Sequence, residues 1–142
     1  MKKYSLDIYD RSRVNKEILT EIVNLFVIPE KRSRFLGFIE SPKRYDDFLW
    51  ELLNDPRNLK PECIIELPNN EQFVESFSQQ LRKLGAGDKA YLVSSNDEDD
   101  GKIGNLEEIL SSVYGEGLVY CLDRNLGYYE GHENWRYILR AV

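Results

Sequence analysis

The chain has 142 residues, of which 42% are hydrophobic, 31% are charged and 12% are aromatic, which excludes a disordered chain and is typical of one folded domain. The formal net charge is −6, and the acidic residues are concentrated in the second part of the chain. Residues 61–142 contain 15 Asp/Glu and 7 Lys/Arg, whereas residues 1–60 contain 10 Asp/Glu and 12 Lys/Arg. Because nucleic-acid binding requires clustered Lys and Arg, this charge argues against a nucleic-acid partner and favours a basic protein partner.

The sequence also argues against a membrane protein. No stretch approaches the roughly 20 apolar residues of a membrane span, and the first residues, MKKYSLDIYDRSR, lack the apolar segment of a signal peptide. We therefore expect a cytoplasmic protein without membrane contacts. Cys63 and Cys121 both lie in apolar runs, which favours buried free thiols.

The first half of the chain predicts mainly helices. SLDIY, at residues 5–9, is typical of a short strand, and apolar residues at helical spacing predict an amphipathic helix over 13–26 that ends before Pro29. RFLGFIE, at 34–40, fits either a strand or a helical turn. Ser41 suits an N-cap and Pro42 a first helical position. The apolar stripe of the helix that follows comprises Tyr45, Phe48, Leu49, Leu52 and Leu53.

The second half predicts strands alternating with helices. Strands are predicted at 62–67, 89–95, 117–123, 124–131 and 135–142. Helices are predicted at 69–87, with Phe73, Val74, Phe77 and Leu81 on its apolar face and Gly85 as its stop, and at 105–115, with Asn105 as a possible N-cap. We therefore predict a single α+β domain over 1–142, with a mixed sheet of about five to six strands, three to four helices packed on it, and a C-terminal antiparallel hairpin.

Residues 96–107, NDEDDGKIGNLE, resemble the calcium-binding loop of EF-hand proteins. A strand-like segment leads into the loop where an EF-hand has a helix, and the first position is Asn rather than Asp. The alternative is an acidic connection in front of a helix, whose dipole stabilises nearby carboxylates. The candidate calcium ligands are Asn96, Glu98, Asp100, the carbonyl of Lys102, and Glu107.

The same acidic stretch is a candidate docking surface for a basic protein. Four consecutive carboxylates repel one another, so we expect all of them to lie in solvent. The C-terminal strands add aromatic residues, of which one of the adjacent Tyr128 and Tyr129 should point outwards because side chains alternate on a strand. The candidate partner-binding residues are Asp97, Glu98, Asp99, Asp100, Tyr129 and Trp135.

The sequence offers few catalytic residues. His132 is the single histidine, and pairing with the Cys121 thiol is the least unfavourable catalytic arrangement. We expect His132 in a solvent-exposed turn and Cys121 in the core, and no zinc or phosphate-binding motif is present. We therefore predict no catalytic residues and no cofactor apart from calcium in the alternative hypothesis.

In size, acidity and α+β character, the chain resembles the broad class of small bacterial immunity and antitoxin proteins. The resemblance is one of class and involves no matched residues. It implies a non-enzymatic domain that binds a basic protein partner. A calcium-binding protein and an enzyme of unknown class are the alternatives.

Overall fold

A computed structural model describes residues 14–133 and 135–141, and the strand predicted at 5–9 lies outside them. The helices and strands form three layers, with a sheet between two groups of helices. The helices are α1 (Lys16–Phe26), α2 (Pro29–Glu40), α3 (Tyr45–Asn54), α4 (Val74–Lys83) and α5 (Leu106–Ser111). The strands are β1 (Ile64–Glu66), β2 (Lys89–Ser94), β3 (Ile103–Asn105), β4 (Gly117–Cys121), β5 (Leu126–Glu130) and β6 (Arg136–Arg140).

The sheet has six strands in the order β1-β6-β5-β4-β2-β3, and every pairing of these strands is antiparallel. The α+β fold class and the C-terminal hairpin of β5 and β6 are confirmed. The expected mixed sheet is antiparallel instead, because β4, β5 and β6 follow one another through short turns that reverse the chain. β3, which was not predicted, forms the edge beside β2.

Both faces of the sheet are covered, so the central strands are buried on both sides. On β2, Tyr91 and Val93 pack in the core formed with α1, α2 and α3. The alternate residues Ala90 and Leu92 pack in a second core with α4 and α5. All five residues of β4 and all five of β5 are buried, which explains why these strands read as nearly continuous apolar runs.

Several helix boundaries are set by residues close to them in the sequence. The Asn15 side chain caps α1 by accepting a hydrogen bond from Ile18 N (3.0 Å), and Asn105 caps α5 through Glu107 N (3.0 Å). Gly85 adopts a positive φ of 111° directly after α4, which is the conformation expected of a helix stop.

Other boundaries differ from the expectation. Pro29 begins α2 rather than only ending the previous region, because proline is tolerated in the first helical turn. The ambiguous segment 34–40 therefore belongs to α2. Ser41 makes no side-chain capping hydrogen bond, and a 3-10 turn over Pro42–Arg44 precedes α3. At the start of α4, Phe73 and Val74 are exposed, whereas Phe77 and Leu81 are buried as predicted.

The α1–α3 layer is held by large apolar side chains. The predicted stripe of α3 is buried along its whole length, and its Phe48 ring packs edge-on against Phe35 of α2 at 5.9 Å between ring centroids. Burying a side chain of this size contributes about 1.5–3 kcal/mol. Trp50, on the opposite side of α3, is exposed. Among the described residues, no helix has the length and apolar character needed to cross a membrane.

Candidate functional site

The acidic stretch forms the loop of the hairpin between β2 and β3, and we call residues 95–102 the acidic hairpin. Its turn is organised by Asn96, whose carbonyl accepts hydrogen bonds from the backbone N–H groups of Asp99 and Asp100, each at 3.0 Å. The Asn96 side chain accepts a further hydrogen bond from Glu98 N at 3.0 Å. Asn96 is therefore a turn-forming residue.

Asp100 is buried, which contradicts the expectation that all four carboxylates lie in solvent. It is only 6% exposed and accepts a hydrogen bond from the Tyr45 hydroxyl at 2.6 Å and another from Ser94 N at 2.9 Å. A buried carboxylate is stable only with such donors. Asp100 therefore fixes the acidic hairpin against the start of α3 and is not available as a docking residue.

The other three carboxylates differ in exposure. Asp99 is largely buried and forms an ion pair with Lys102 Nζ at 2.7 Å. Asp97 is half-buried, and Glu98 is exposed. The folded protein therefore exposes much less carboxylate surface here than four adjacent acidic residues in the sequence suggest.

The candidate calcium ligands have separate partners. The Glu107 carboxylate on α5 accepts hydrogen bonds from the Arg82 guanidinium, at 2.8 Å to Nη2, and from the Ser78 hydroxyl. These contacts, first that of Arg82 and then that of Ser78, hold the pKa of Glu107 at about 2. Asp100 binds Tyr45, and the Lys102 carbonyl accepts a backbone hydrogen bond from Leu92 at 2.9 Å.

These contacts do not form the ligand cluster that an EF-hand loop requires. Over the ranges 14–133 and 135–141, no group of three or more His, Cys, Asp or Glu side chains is placed to hold a metal ion. The predicted set of Asn96, Glu98, Asp100, Lys102 and Glu107 instead serves the turn, the sheet edge and the contact between α4 and α5.

Tyr129 is fully buried, so the prediction that it is an exposed binding residue is wrong. Its hydroxyl donates a hydrogen bond to the Leu52 carbonyl at 2.8 Å, and its ring stacks on Tyr137 with 6.2 Å between centroids. Burial raises the pKa of this hydroxyl above its usual range. The neighbouring Tyr128 is also buried, because helices cover both faces of the sheet.

Trp135, in contrast, lines an open depression of about 540 Å³ at the end of α3. We call this depression the tryptophan groove. Trp50, which is 66% exposed, lines the same groove, so both tryptophans of the chain contribute to it. The other lining residues are Lys31, Glu51, Asn54, Asp55, Pro56, Arg57 and Asn58.

The turn between β5 and β6 positions Trp135. His132 N donates a hydrogen bond to the Leu53 carbonyl of α3 at 3.2 Å, and Gly131 N donates to the Trp135 carbonyl at 2.7 Å. A Cβ atom at Gly131 would lie 3.0 Å from both the Trp135 and Tyr129 rings, so a larger residue here requires these rings to shift by a few tenths of an ångström. The turn therefore fixes one wall of the groove against α3.

Two ion pairs involve residues of the tryptophan groove, and Lys31 is a further charged residue of its lining. Arg34 forms a two-point ion pair with Glu51, at 2.9 and 2.7 Å. Asp55 accepts hydrogen bonds from Arg57 Nε at 2.9 Å and from Arg57 N at 3.0 Å, and the side-chain hydrogen bond is the main cause of the lowered pKa of Asp55. The groove thus combines two indole rings with two ion pairs and the positive charge of Lys31.

Cys121 and His132 lie near opposite ends of the sheet. Cys121 pairs with Leu126 at the start of β5, whereas His132 follows the end of β5. Burial raises the pKa of the Cys121 thiol to about 12, which disfavours the reactive thiolate. The exposed His132 instead has its Nδ1 atom 3.6 Å from Glu116 Oε2. The two residues therefore do not form a nucleophile–base pair.

Trp50 is not among the partner-binding residues predicted from the sequence. The signal that could have found it is its position outside the apolar stripe of α3, since an indole on the polar side of an amphipathic helix is expected to face solvent. Comparison of the chain with protein-family models, with curated proteins and with solved structures finds no match.

Proposed function

We propose that this protein is a non-enzymatic protein-binding domain that holds a segment of a basic partner in the tryptophan groove. The observation that carries the proposal is the convergence of Trp50 and Trp135, which lie 85 positions apart in the sequence, on one open groove. This kind of function agrees with the class resemblance to small immunity and antitoxin proteins.

The composition of the groove favours a protein partner. Trp and Arg are the residues most enriched among those that dominate binding energy at protein interfaces. Trp50 remains largely exposed although its burial would be favourable, and covering it with a partner side chain would remove that apolar area from water. The volume of about 540 Å³ accommodates bulky side chains of a peptide segment.

Charge has a different role from the aromatic rings in this proposal. The ion pairs of Glu51 and Asp55, together with Lys31, leave the groove without an excess of negative charge, so the groove itself does not select a basic partner. The attraction comes from the net charge of −6 on the whole chain, which acts over a longer range. Long-range attraction mainly raises the association rate, whereas buried aromatic contacts mainly lower the dissociation rate.

The test is selection of a displayed random-peptide library on the wild-type domain, followed by kinetic measurements on the enriched peptides. We expect enriched peptides to contain a bulky apolar residue that fits the groove and to carry a net positive charge. Because the groove contains both tryptophans of the chain, binding should change the tryptophan emission. Raising the salt concentration should lower the association rate.

The variant Trp50→Ser should weaken binding at least about tenfold, mainly by raising the dissociation rate. Its matched control is Phe73→Ser, which removes an aromatic side chain that is also exposed but lies outside the groove. Equal losses in the two variants would contradict the proposed location. Failure to enrich peptides, or enrichment of peptides without basic residues and without salt dependence, would contradict the proposed partner.

A further inference from the structure

A second depression lies on the other face of the sheet, between α4 and α5, and we call it the α4–α5 cleft. Its volume is about 260 Å³, and its floor is formed by Tyr128 and Glu130 of β5 and Arg136 of β6. Drug-sized ligands occupy pockets of roughly 300–1,000 Å³, so a ligand of this cleft would be no larger than one ring with a small substituent.

The floor of the cleft carries a buried acid and an unsatisfied donor. Glu130 is only 7% exposed, and its Oε1 atom accepts a hydrogen bond from the Tyr128 hydroxyl at 2.6 Å. Arg136 Nε lies 3.6 Å from the same oxygen, which is too far for a direct hydrogen bond. This nitrogen is buried and has no hydrogen-bond partner among the residues that the structure describes, while Arg136 Nη1 donates a hydrogen bond to the Gln72 carbonyl at 3.1 Å.

The unsatisfied donor indicates which head group would fit. Because Nε itself is enclosed, an acceptor atom in the cleft reaches it only after a small shift of the Arg136 side chain, which is 35% exposed. The acceptor would then supply the missing hydrogen bond, and a buried donor without a partner is costly enough that few occur in native proteins. Glu130 is a carboxylate with further acceptor capacity, so it can receive a hydrogen bond from the same head group. A hydroxyl or a primary amide provides both an acceptor and a donor.

The net charge of the floor indicates that this head group is neutral. The Glu130 carboxylate and the Arg136 guanidinium already neutralise each other. A charged head group would add an uncompensated charge in a largely buried position, which is strongly unfavourable. Benzoate-like anions and benzylamine-like cations should therefore bind more weakly than neutral analogues.

The walls and the mouth of the cleft are apolar. Phe77 packs against Tyr128 with 4.7 Å between ring centroids, and Leu110 and Val113 line the opposite wall. At the mouth, Tyr114 is 73% exposed and Val74 is also exposed. A ring that entered the cleft would cover these side chains.

From this geometry we infer that the α4–α5 cleft binds a small neutral molecule with one ring-sized apolar body and a hydroxyl or primary-amide head group. The head group lies beside the Arg136 guanidinium and the Glu130 carboxylate, and the ring lies between Phe77 and Val113. This inference does not depend on the proposed function, because the tryptophan groove lies on the opposite face of the sheet and shares no lining residue with the cleft.

The test is a titration of the isotope-labelled protein with five probes followed by amide NMR, since ligands of this size bind weakly. We expect benzamide and p-cresol to shift the amide signals of the cleft residues in a saturable way. Toluene, which has no head group, and the charged benzoate and benzylamine should bind at least about tenfold more weakly, because they lack the paired donor and acceptor or carry an uncompensated charge. The emission of the two tryptophans should not change with any probe.

A variant pair locates the binding. Val113→Phe adds bulk to the wall of the cleft without touching its polar floor, and should abolish the benzamide shifts. Ile103→Phe adds the same ring at an exposed position on β3, outside the cleft, and should leave benzamide binding unchanged. The inference is overturned if no probe shifts the cleft signals, if toluene or a charged probe binds as tightly as benzamide, or if the two variants bind equally. The probe series on the wild-type protein is decisive even if Val113→Phe does not fold.

Discussion

The acidic hairpin and the tryptophan groove show opposite relations between sequence and surface. The acidic hairpin is the most conspicuous local pattern in the chain, but folding directs Asp100 and Asp99 to internal partners. The groove has no local pattern, because Trp50 and Trp135 come from separate parts of the chain. A cluster of charge in sequence is therefore weak evidence for a binding surface when donors from other elements can reach it.

The largest expected effect tests whether the acidic hairpin is structural. Asp100→Ala should lower the free energy of unfolding by about 3 kcal/mol, because hydrogen bonds to charged groups contribute about 1.5–3 kcal/mol each and two are lost. Urea denaturation measures this change. Glu98→Ala, at an exposed position of the same loop, should change stability by about 0.5 kcal/mol or less. Equal effects of the two substitutions would show that Asp100 does not fix the hairpin.

The second prediction concerns the turn that forms one wall of the groove. Gly131→Ala should destabilise the protein by about 1–3 kcal/mol, because its Cβ atom would crowd the Trp135 and Tyr129 rings. The tryptophan emission should change at the same time. The control is Gly37→Ala in α2, where nothing lies within 4 Å of the added atom. That substitution should stabilise the protein by about 0.5–1 kcal/mol, as expected for replacing glycine within a helix. Thermal melts of the two variants that shift in the same direction would contradict this view of the turn.

The third prediction separates a structural role of Glu107 from a metal-binding role. The folded pKa of about 2 lies below the ordinary value of 4.5, so the ionised carboxylate stabilises the fold above about pH 4.5. That contribution is lost as the pH falls from about 4.5 to about 2. Glu107→Gln should therefore lower stability at neutral pH, by about 1 kcal/mol or less because the pair is half-exposed.

The difference between wild type and Glu107→Gln should shrink as the pH falls through this window, as measured by denaturation at several pH values. Arg82→Lys offers a matched comparison, since it keeps the charge but removes the two-point contact. A Glu107→Gln effect that does not depend on pH would contradict the ion-pair explanation.

The smallest expected effect is that of calcium. Because Asp100 and Glu107 are bound to separate partners, excess calcium should leave the melting temperature equal to that measured in EDTA. A native-state ligand at about a hundredfold excess over its Kd would add about 2.7 kcal/mol. An upward shift with calcium but not with magnesium would restore the EF-hand hypothesis and break the contrast between the hairpin and the groove.

Most of the local structure is predictable from residues that are close in sequence. The spacing of apolar residues predicted α1 and α3, and the apolar runs predicted β2, β4 and β5, because hydrophobic periodicity reflects which side of an element is buried. Asn105 and Gly85 marked helix ends correctly, since capping and positive φ depend on residues close in sequence.

Which of these elements face one another depends instead on contacts between distant parts of the chain. The sheet is antiparallel throughout its pairings, and both of its faces are covered, so Tyr129 is buried rather than exposed. Asp100 is buried because Tyr45, 55 positions away, supplies a donor. The groove likewise depends on the path of the chain that brings Trp135 beside α3. Periodicity and capping are short-range effects that a sequence displays directly, whereas these contacts join distant segments and exist only after the layers have packed.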